Sequence, residues 1–315
     1  MALAQAVARL GAIPGMRSFL VSEGGELLEE RYFNGVSATD PHNVRSVTKS
    51  VTSALVGIAL DRGFLTDLDV TVGEHLPADL LDGLDPVKAG ITVRDLLRMA
   101  HGFTWNQLRG GADFDEWATA DDQLEFILAR PLESLPGSSF EYSDGAVHML
   151  SVILTGVTGM STLDFAEEFL FEPMGFTNPD RIWSEDNRGF NAGGVGLRLT
   201  PPEMLAFGEM FLNGGVHKGT RVLSSAWVEQ ATGDRIDSLD IPFSQRYGYL
   251  WWVGSGGPFP FYLANGFGGQ FIVVTPSRGL VVVTTVDLAG PHGSSTDNWL
   301  EAITTIVEDL LPAFR

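Results

Sequence analysis

Strand-forming apolar runs lie at the two ends of this chain, and a helical pattern fills the middle. Near the start, "RSFLVSEGGELLEERYF" is apolar, then Glu-Gly-Gly-Glu, then apolar again. Gly24 and Gly25 supply the positive φ of a tight turn, so the segment predicts a β-hairpin. Near the end, "YGYLWWV", "QFIVVTP" and "LVVVTTVD" have strand length and β-branched or aromatic character. Between them, "SVTKSVTSALVGIALDRG", "TVRDLLRMAHG", "DDQLEFILAR", "GAVHMLSVILTGVTG", "STLDFAEEFLFEPMG" and "TPPEMLAFGEMFLNGG" carry apolar positions at helical spacing. Leu3, Val7 and Leu10 share one face of an N-terminal helix. "STDNWLEAITTIVEDLLPAF" reads as a C-terminal amphipathic helix capped by Ser295 or Thr296. The pattern predicts an α+β fold: a mostly antiparallel sheet built from both chain ends, flanked by N- and C-terminal helices, with a large helical insert lobe. Residues 1–65 and 205–315 would form the sheet domain and residues 66–204 the helical domain. The seam between them is the natural place for a cleft.

With 315 residues and 44% hydrophobic side chains, the chain can bury a large core. Twenty Lys and Arg against 40 Asp and Glu give a net charge of −20. A surface this acidic repels phosphate backbones and anionic lipid, so neither nucleic acid nor a membrane is an expected partner. No apolar run reaches the ~18 residues of a membrane-spanning helix. The N-terminus has neither a charged n-region nor a clear cleavage site, and the expected location is cytoplasmic. There is no cysteine, hence no thiol nucleophile and no thiolate metal site. The six histidines are scattered, with no pair at metal spacing, so no metal site is expected; no organic cofactor is expected either. A G-x-S-x-G elbow, a phosphate-binding G-x-x-x-x-G-K-[ST] loop and an H-E-x-x-H helix are all missing.

Three places carry chemistry. Ser46-Val47-Thr48-Lys49 is an S-x-x-K tetrad at the start of a helix, where i and i+3 share a face. Free N–H groups at a helix start could hold an oxyanion that forms on an attacking serine. The bland alternative makes Ser46 a cap and Lys49 a solvent-facing residue. Tyr142-Ser143-Asp144 lies on a loop before a helix, with Asp144 as a candidate N-cap. "NGFGGQF" leads into a strand, and Gly266, Gly268 and Gly269 let the backbone approach another group closely. His42, near Ser46, is a minor cleft candidate. His101 reads as a loop or surface residue, and Asp113, Asp115 and Glu116 as a solvated face. In Trp251-Trp252 one ring would enter the core and the other the opposite face.

Taken together and in order, these pieces resemble the serine β-lactamase-like superfamily. It comprises class C β-lactamases, penicillin-binding DD-peptidases, related esterases and 6-aminohexanoate-oligomer hydrolases. The stretch from "VRSVTK" resembles its nucleophile helix, "PGSSFEYSD" its tyrosine motif and "NGFGGQFIVVTP" its closing strands. The resemblance implies a serine hydrolase working through an acyl-enzyme. Ser46 would be the nucleophile, Lys49 its activator, and Tyr142 the general base and later the acid. The amides of Ser46 and Phe267 would form the oxyanion hole. Asp144, Gly266, Gly268, Gly269 and Gln270 would support the site or touch substrate. Two departures stand out. The tyrosine motif ends in Asp144 instead of Asn, which should raise the Lys49 pKa and let a cationic Lys49 lower that of Tyr142. The third motif has Asn265 and no cation, which favours a small neutral ester or amide over a β-lactam acid. The alternatives are a catalytically silent ligand- or peptide-binding member, or β-lactamase or DD-peptidase activity. Oligomeric state is not encoded in any feature of the sequence.

Overall fold

The computed structural model describes residues 2–233, 236–241, 244–254, 259–287 and 296–314. Eight strands are named in chain order: β1 (Met16–Glu23), β2 (Glu26–Tyr32), β3 (Ile236–Ile241), β4 (Ser244–Tyr247), β5 (Trp252–Gly254), β6 (Phe261–Gly266), β7 (Gln270–Thr275) and β8 (Leu280–Val286). They form one sheet in the order β2-β1-β8-β7-β6-β5-β4-β3, with antiparallel neighbours. The predicted hairpin forms around Gly24 and Gly25, both at positive φ, with Glu23 opposite Glu26. Its first strand pairs with the last, Leu20 opposite Val283 and Val21 opposite Val282. The sheet is therefore built from both chain ends, as the distribution of apolar runs required.

The helices that position the site are α1 (Ala2–Gly11), α2 (Val47–Asp61), α3 (Val93–Leu97), α4 (Gln123–Ala129), α5 (Asp144–Thr158), α6 (Thr162–Ala166), α7 (Pro201–Leu212), α8 (Ser225–Thr232) and α9 (Thr296–Thr304). Every residue of β7 and β8 is buried, so both faces of the sheet are covered there. On one face lies α7, where a Cβ on Gly208 would come within 2.6 Å of Val281 and 2.7 Å of Ile272. This helix packs on β1, β7 and β8. On β7 also lies α9, through Trp299 against Phe271. Ion pairs from Arg9 to Glu301 and Asp309 tie α1 to the C-terminal segment. Of the proposed caps, Ser295 lies outside the described residues.

Helix α2 is buried from Val47 to Ala59, packed between β6 and α5. Its second half is apolar nearly all round, while its first half buries Thr48, Lys49, Ser50, Thr52 and Ser53. The helix ends at Asp61, and Gly63 follows its cap at φ +76°.

The segment "YGYLWWV" is not one strand. The backbone turns between β4 and β5, with Leu250 at φ +60° and the Gly248 amide donating to Trp251 O at 2.8 Å. This turn docks on the helices: the Leu250 amide donates to Leu97 O of α3 at 3.0 Å, and Ser50 Oγ of α2 donates to Leu250 O at 2.8 Å. Both tryptophans that follow are buried, on different sides. Trp251 stacks on Phe207 and lies tilted against Phe211 of α7, and Trp252 stacks with Tyr142.

Candidate active site

The start of α2 is fixed before its chemistry begins. The Val44 amide donates to Leu197 O at 3.0 Å, and Asn43 Oδ1 accepts from the Arg45 amide at 2.9 Å. Arg45 itself is held at φ +53°, a conformation that costs a non-glycine residue about 1–3 kcal/mol unless its surroundings enforce it. Against this corner lies the end of β6: a Cβ on Gly266 would sit 2.5 Å from Val44 O and 3.3 Å from Arg45 Cβ. Only glycine permits that approach. It brings Phe267 next to the residues that precede Ser46. Gly268 (φ +82°) and Gly269 (φ +104°) then close the turn onto β7. The Phe267 side chain points outward, 62% exposed.

Ser46 precedes the first helical residue, yet its hydroxyl makes no capping bond. Instead it accepts from Lys49 Nζ at 3.0 Å. Lys49 is 1% exposed, which excludes the solvent-facing alternative. Its ammonium has three hydrogens and finds three acceptors: Ser46 Oγ, Asp144 Oδ1 at 2.5 Å and Gly194 O at 2.9 Å. It also lies 4.8 Å above the Tyr142 ring. Burial pulls the Lys49 pKa down, but the Asp144 carboxylate and Tyr142 pull it up and prevail, so it stands above the ordinary lysine value. The effect expected of Asp144 on Lys49 is therefore present.

Tyr142 departs from expectation. Its pKa is raised, because burial outweighs the nearby Lys49 charge and the hydrogen bond from Ser46, with Asp144 adding to the rise. The ring is 4% exposed, against Trp252 on one side and edge-on to Tyr247. At rest the site therefore holds a neutral phenol beside an ammonium–carboxylate pair.

Asp144 is not the cap of α5. Ser143 is, its hydroxyl accepting from the Ala146 amide at 3.1 Å. Asp144 occupies the first helical position with its carboxylate turned inward. One oxygen meets Lys49, and the other accepts from Gln107 Nε2 at 2.5 Å. Gln107 Oε1 in turn accepts from the Asp144 amide at 3.2 Å and from Trp105 Nε1 at 3.1 Å.

His101 is fully buried, not at the surface. Its Nδ1 accepts from the Phe103 amide at 3.0 Å, so Nε2–H donates to Glu141 O at 2.7 Å, directly before Tyr142. Burial pushes its pKa down to about 4, so it braces the tyrosine loop as a neutral ring. Asp113 likewise leaves the expected solvated face and pairs with Arg130, while Asp115 and Glu116 stay exposed.

Gln270 faces the sheet. Its amide clamps Val286, donating to the carbonyl at 2.8 Å and accepting from the N–H at 3.1 Å, and so holds the glycine turn in place. Asn265 Oδ1 accepts from Trp299 Nε1 at 2.8 Å. Sequence reasoning missed Gln107, His101, Gly194, Tyr247 and Trp252. What Gly194 touches is remote in sequence. A Cβ there would sit 2.5 Å from Asp144 Oδ1 and 3.1 Å from Lys49 Nζ. Gly194→Ala should therefore push the ion pair apart, costing about 1–3 kcal/mol and at least about tenfold in kcat. Wild-type kinetics with an unchanged unfolding midpoint would contradict this. Among the described residues, no group of three His, Asp or Glu side chains is placed to hold a metal ion.

The family model described as Beta-lactamase matches residues 3–305. The chain belongs to the β-lactamase family. Among similar family members, the 6-aminohexanoate-dimer hydrolase of Paenarthrobacter ureafaciens is 28% identical over 285 residues, covering 84% of this chain and 71% of that protein. The structure of EstCE1, described as a hydrolase with promiscuous acyltransferase activity, superposes with a TM-score of 0.78 at 16% identity, covering 98% of both chains. A D-stereospecific amidohydrolase from Streptomyces sp. gives 0.70 at 18% identity, covering 96% of this chain and 97% of the other. These two likenesses confirm the fold. The three proteins are hydrolases, and the chain takes its place among β-lactamase-like hydrolases.

Proposed function

We propose that this family member is a serine hydrolase that acts through an acyl-enzyme on a small ester or amide, neutral around the scissile bond. The observation that carries this reading is the buried Lys49 Nζ, 3.0 Å from Ser46 Oγ and pinned by Asp144 and Gly194. A buried lysine is costly unless paired, and here all three of its donors converge on the serine and its supports. The 6-aminohexanoate-dimer hydrolase and the amidohydrolase among the similar proteins support an amide or ester substrate.

With Lys49 charged and Tyr142 neutral at rest, Lys49 passes a proton to Asp144 across their 2.5 Å contact in the same step in which it takes the Ser46 proton, so no free amine forms. Oγ attacks the carbonyl carbon as it loses that proton. The Ser46 and Phe267 amides receive the oxyanion. Tyr142, beside both Ser46 and Lys49, protonates the leaving group and takes its own proton back from Lys49. Water then attacks the acyl-enzyme by the reverse relay.

The test is intact-mass labelling with a fluorophosphonate. Wild type should gain a single adduct and Ser46→Ala none, with turnover of an activated ester reduced at least about 10³-fold in the variant. An adduct that persists in Ser46→Ala would assign the nucleophile elsewhere.

A further inference from the structure

A cavity of about 610 Å³ opens beside the nucleophile corner, and nothing above accounts for it. Arg17, Arg45, Arg198 and His42 line it, together with Asp40 and Asp287. Three arginines around one hollow are unusual in a chain with 20 basic residues and a net charge of −20. Their partners are unevenly shared. Asp40 is engaged by the Ser37 amide and hydroxyl, and Asp287 pairs with Arg17. Arg198 reaches Pro41 O at 3.3 Å. Among the described residues nothing pairs with the Arg45 guanidinium, and its Nε is buried without a hydrogen-bond partner, as is His42 Nε2. A buried donor left unpaired costs about 1–3 kcal/mol, so the Arg45 side chain is not held by the protein around it.

The wall of this cavity is rigid. His42 and Asn43 pair with Leu199 and Arg198 in a short two-stranded ladder, and the Asn43 side chain and Leu197 carbonyl hold the backbone on either side of Arg45. Arg45 adjoins Ser46 in the chain, so their Cα atoms are about 3.8 Å apart. A group bound by Arg45 is thus within one small-molecule length of the reacting hydroxyl.

We propose that this cavity binds the carboxylate end of the substrate, remote from the scissile bond, with Arg45 and Arg198 as its ligands. A planar carboxylate matches the guanidinium fork, and charge-assisted pairs of this kind are the strong ones. In a strongly anionic molecule a basic hollow also focuses the local field, drawing an acid to the one place that accepts it. This deepens the hydrolase reading and rests on it: the substrate is neutral where it meets Asn265 and Phe267, and acidic where it enters the arginine cavity.

The test compares hexanoate with hexanamide, which differ in the charged group alone. Calorimetry on the Ser46→Ala protein should show hexanoate binding at least about tenfold more tightly than hexanamide. That preference should be lost in Arg45→Gln and in Arg198→Gln and partly restored in Arg198→Lys. With active wild type, hexanoate should inhibit ester hydrolysis competitively. Equal binding of the two probes, or a preference that survives both glutamine variants, overturns the inference. Non-competitive inhibition overturns the substrate assignment. Failure of the hydrolase reading looks different: no fluorophosphonate adduct, with the hexanoate preference intact.

Discussion

Lys49→Ala should lower stability by about 3–5 kcal/mol and abolish turnover in the same step. The Lys49 and Asp144 side chains are 2% and 0% exposed, so their charges are shielded from water on every side. Removing the ammonium leaves a carboxylate held by Gln107 and no countercharge. The large loss reflects that abandoned charge more than the strength of the pair itself. The distinction can be measured. Lys49→Met combined with Asp144→Leu removes both charges at similar volume, and should recover most of the lost stability while remaining inactive. Urea unfolding of wild type, single and double variants decides it. A double variant as unstable as Lys49→Ala would show that packing, not charge, dominates at this position.

Asp144→Asn should change how the enzyme responds to pH. In the mechanism proposed for wild type the relay starts from the Lys49–Asp144 pair, so the expected rate is flat across neutrality. With asparagine, burial acts on Lys49 unopposed by the carboxylate, and the Lys49 pKa falls. The rate then needs lysine that is already neutral, and it rises with pH through that lowered value. A kcat reduced about 10²–10³-fold at pH 7 is expected, the usual scale for losing a positioned proton acceptor. The stability profile has a matching sign. In wild type Lys49 has a raised folded pKa, so its contribution is complete throughout neutral pH and is lost only as pH rises through that value. In the variant the unfolded lysine binds its proton more tightly than the folded one, so stability increases with pH. Other titratable groups near Lys49 are Tyr142 and Tyr247, both with raised pKa values, so neither produces a neutral-range transition. A kcat profile between pH 5 and 10 that matches wild type would remove Asp144 from the relay.

The legible parts of the molecule were those whose causes lie close together in sequence. Gly24-Gly25 between two apolar runs defined the hairpin, and Ser46 to Lys49 at helical spacing placed two reactive groups on one face. Ambiguity began where neighbours could exchange roles. Ser143 and Asp144 are both good caps, and only the structure shows that Ser143 caps while Asp144 turns to Lys49. Periodicity joined β4 and β5 into one run, because a turn made at Gly248 and Leu250 leaves no break in the apolar pattern. Gln107, His101 and Gly194 were invisible because their partners are 37, 40 and 145 residues away. Their contribution is a hydrogen bond or a close approach that no local pattern encodes. The Tyr142 pKa was misjudged for a related reason: the charge of Lys49 could be read from the motif, but the burial that outweighs it could not.

The pairing of β1 with β8 bears on how the molecule comes into being. During synthesis the hairpin and the reactive helix emerge first, Tyr142 midway, and the turn at Phe267 with its anchoring strand near the end. Until β8 arrives, the inner edge of β1 has no partner, a state prone to pairing with other chains. Contacts that span nearly the whole chain also make folding slow. A growing polypeptide therefore presents its serine and lysine before the amide proposed to complete the oxyanion hole, and closure of the sheet coincides with completion of the proposed site.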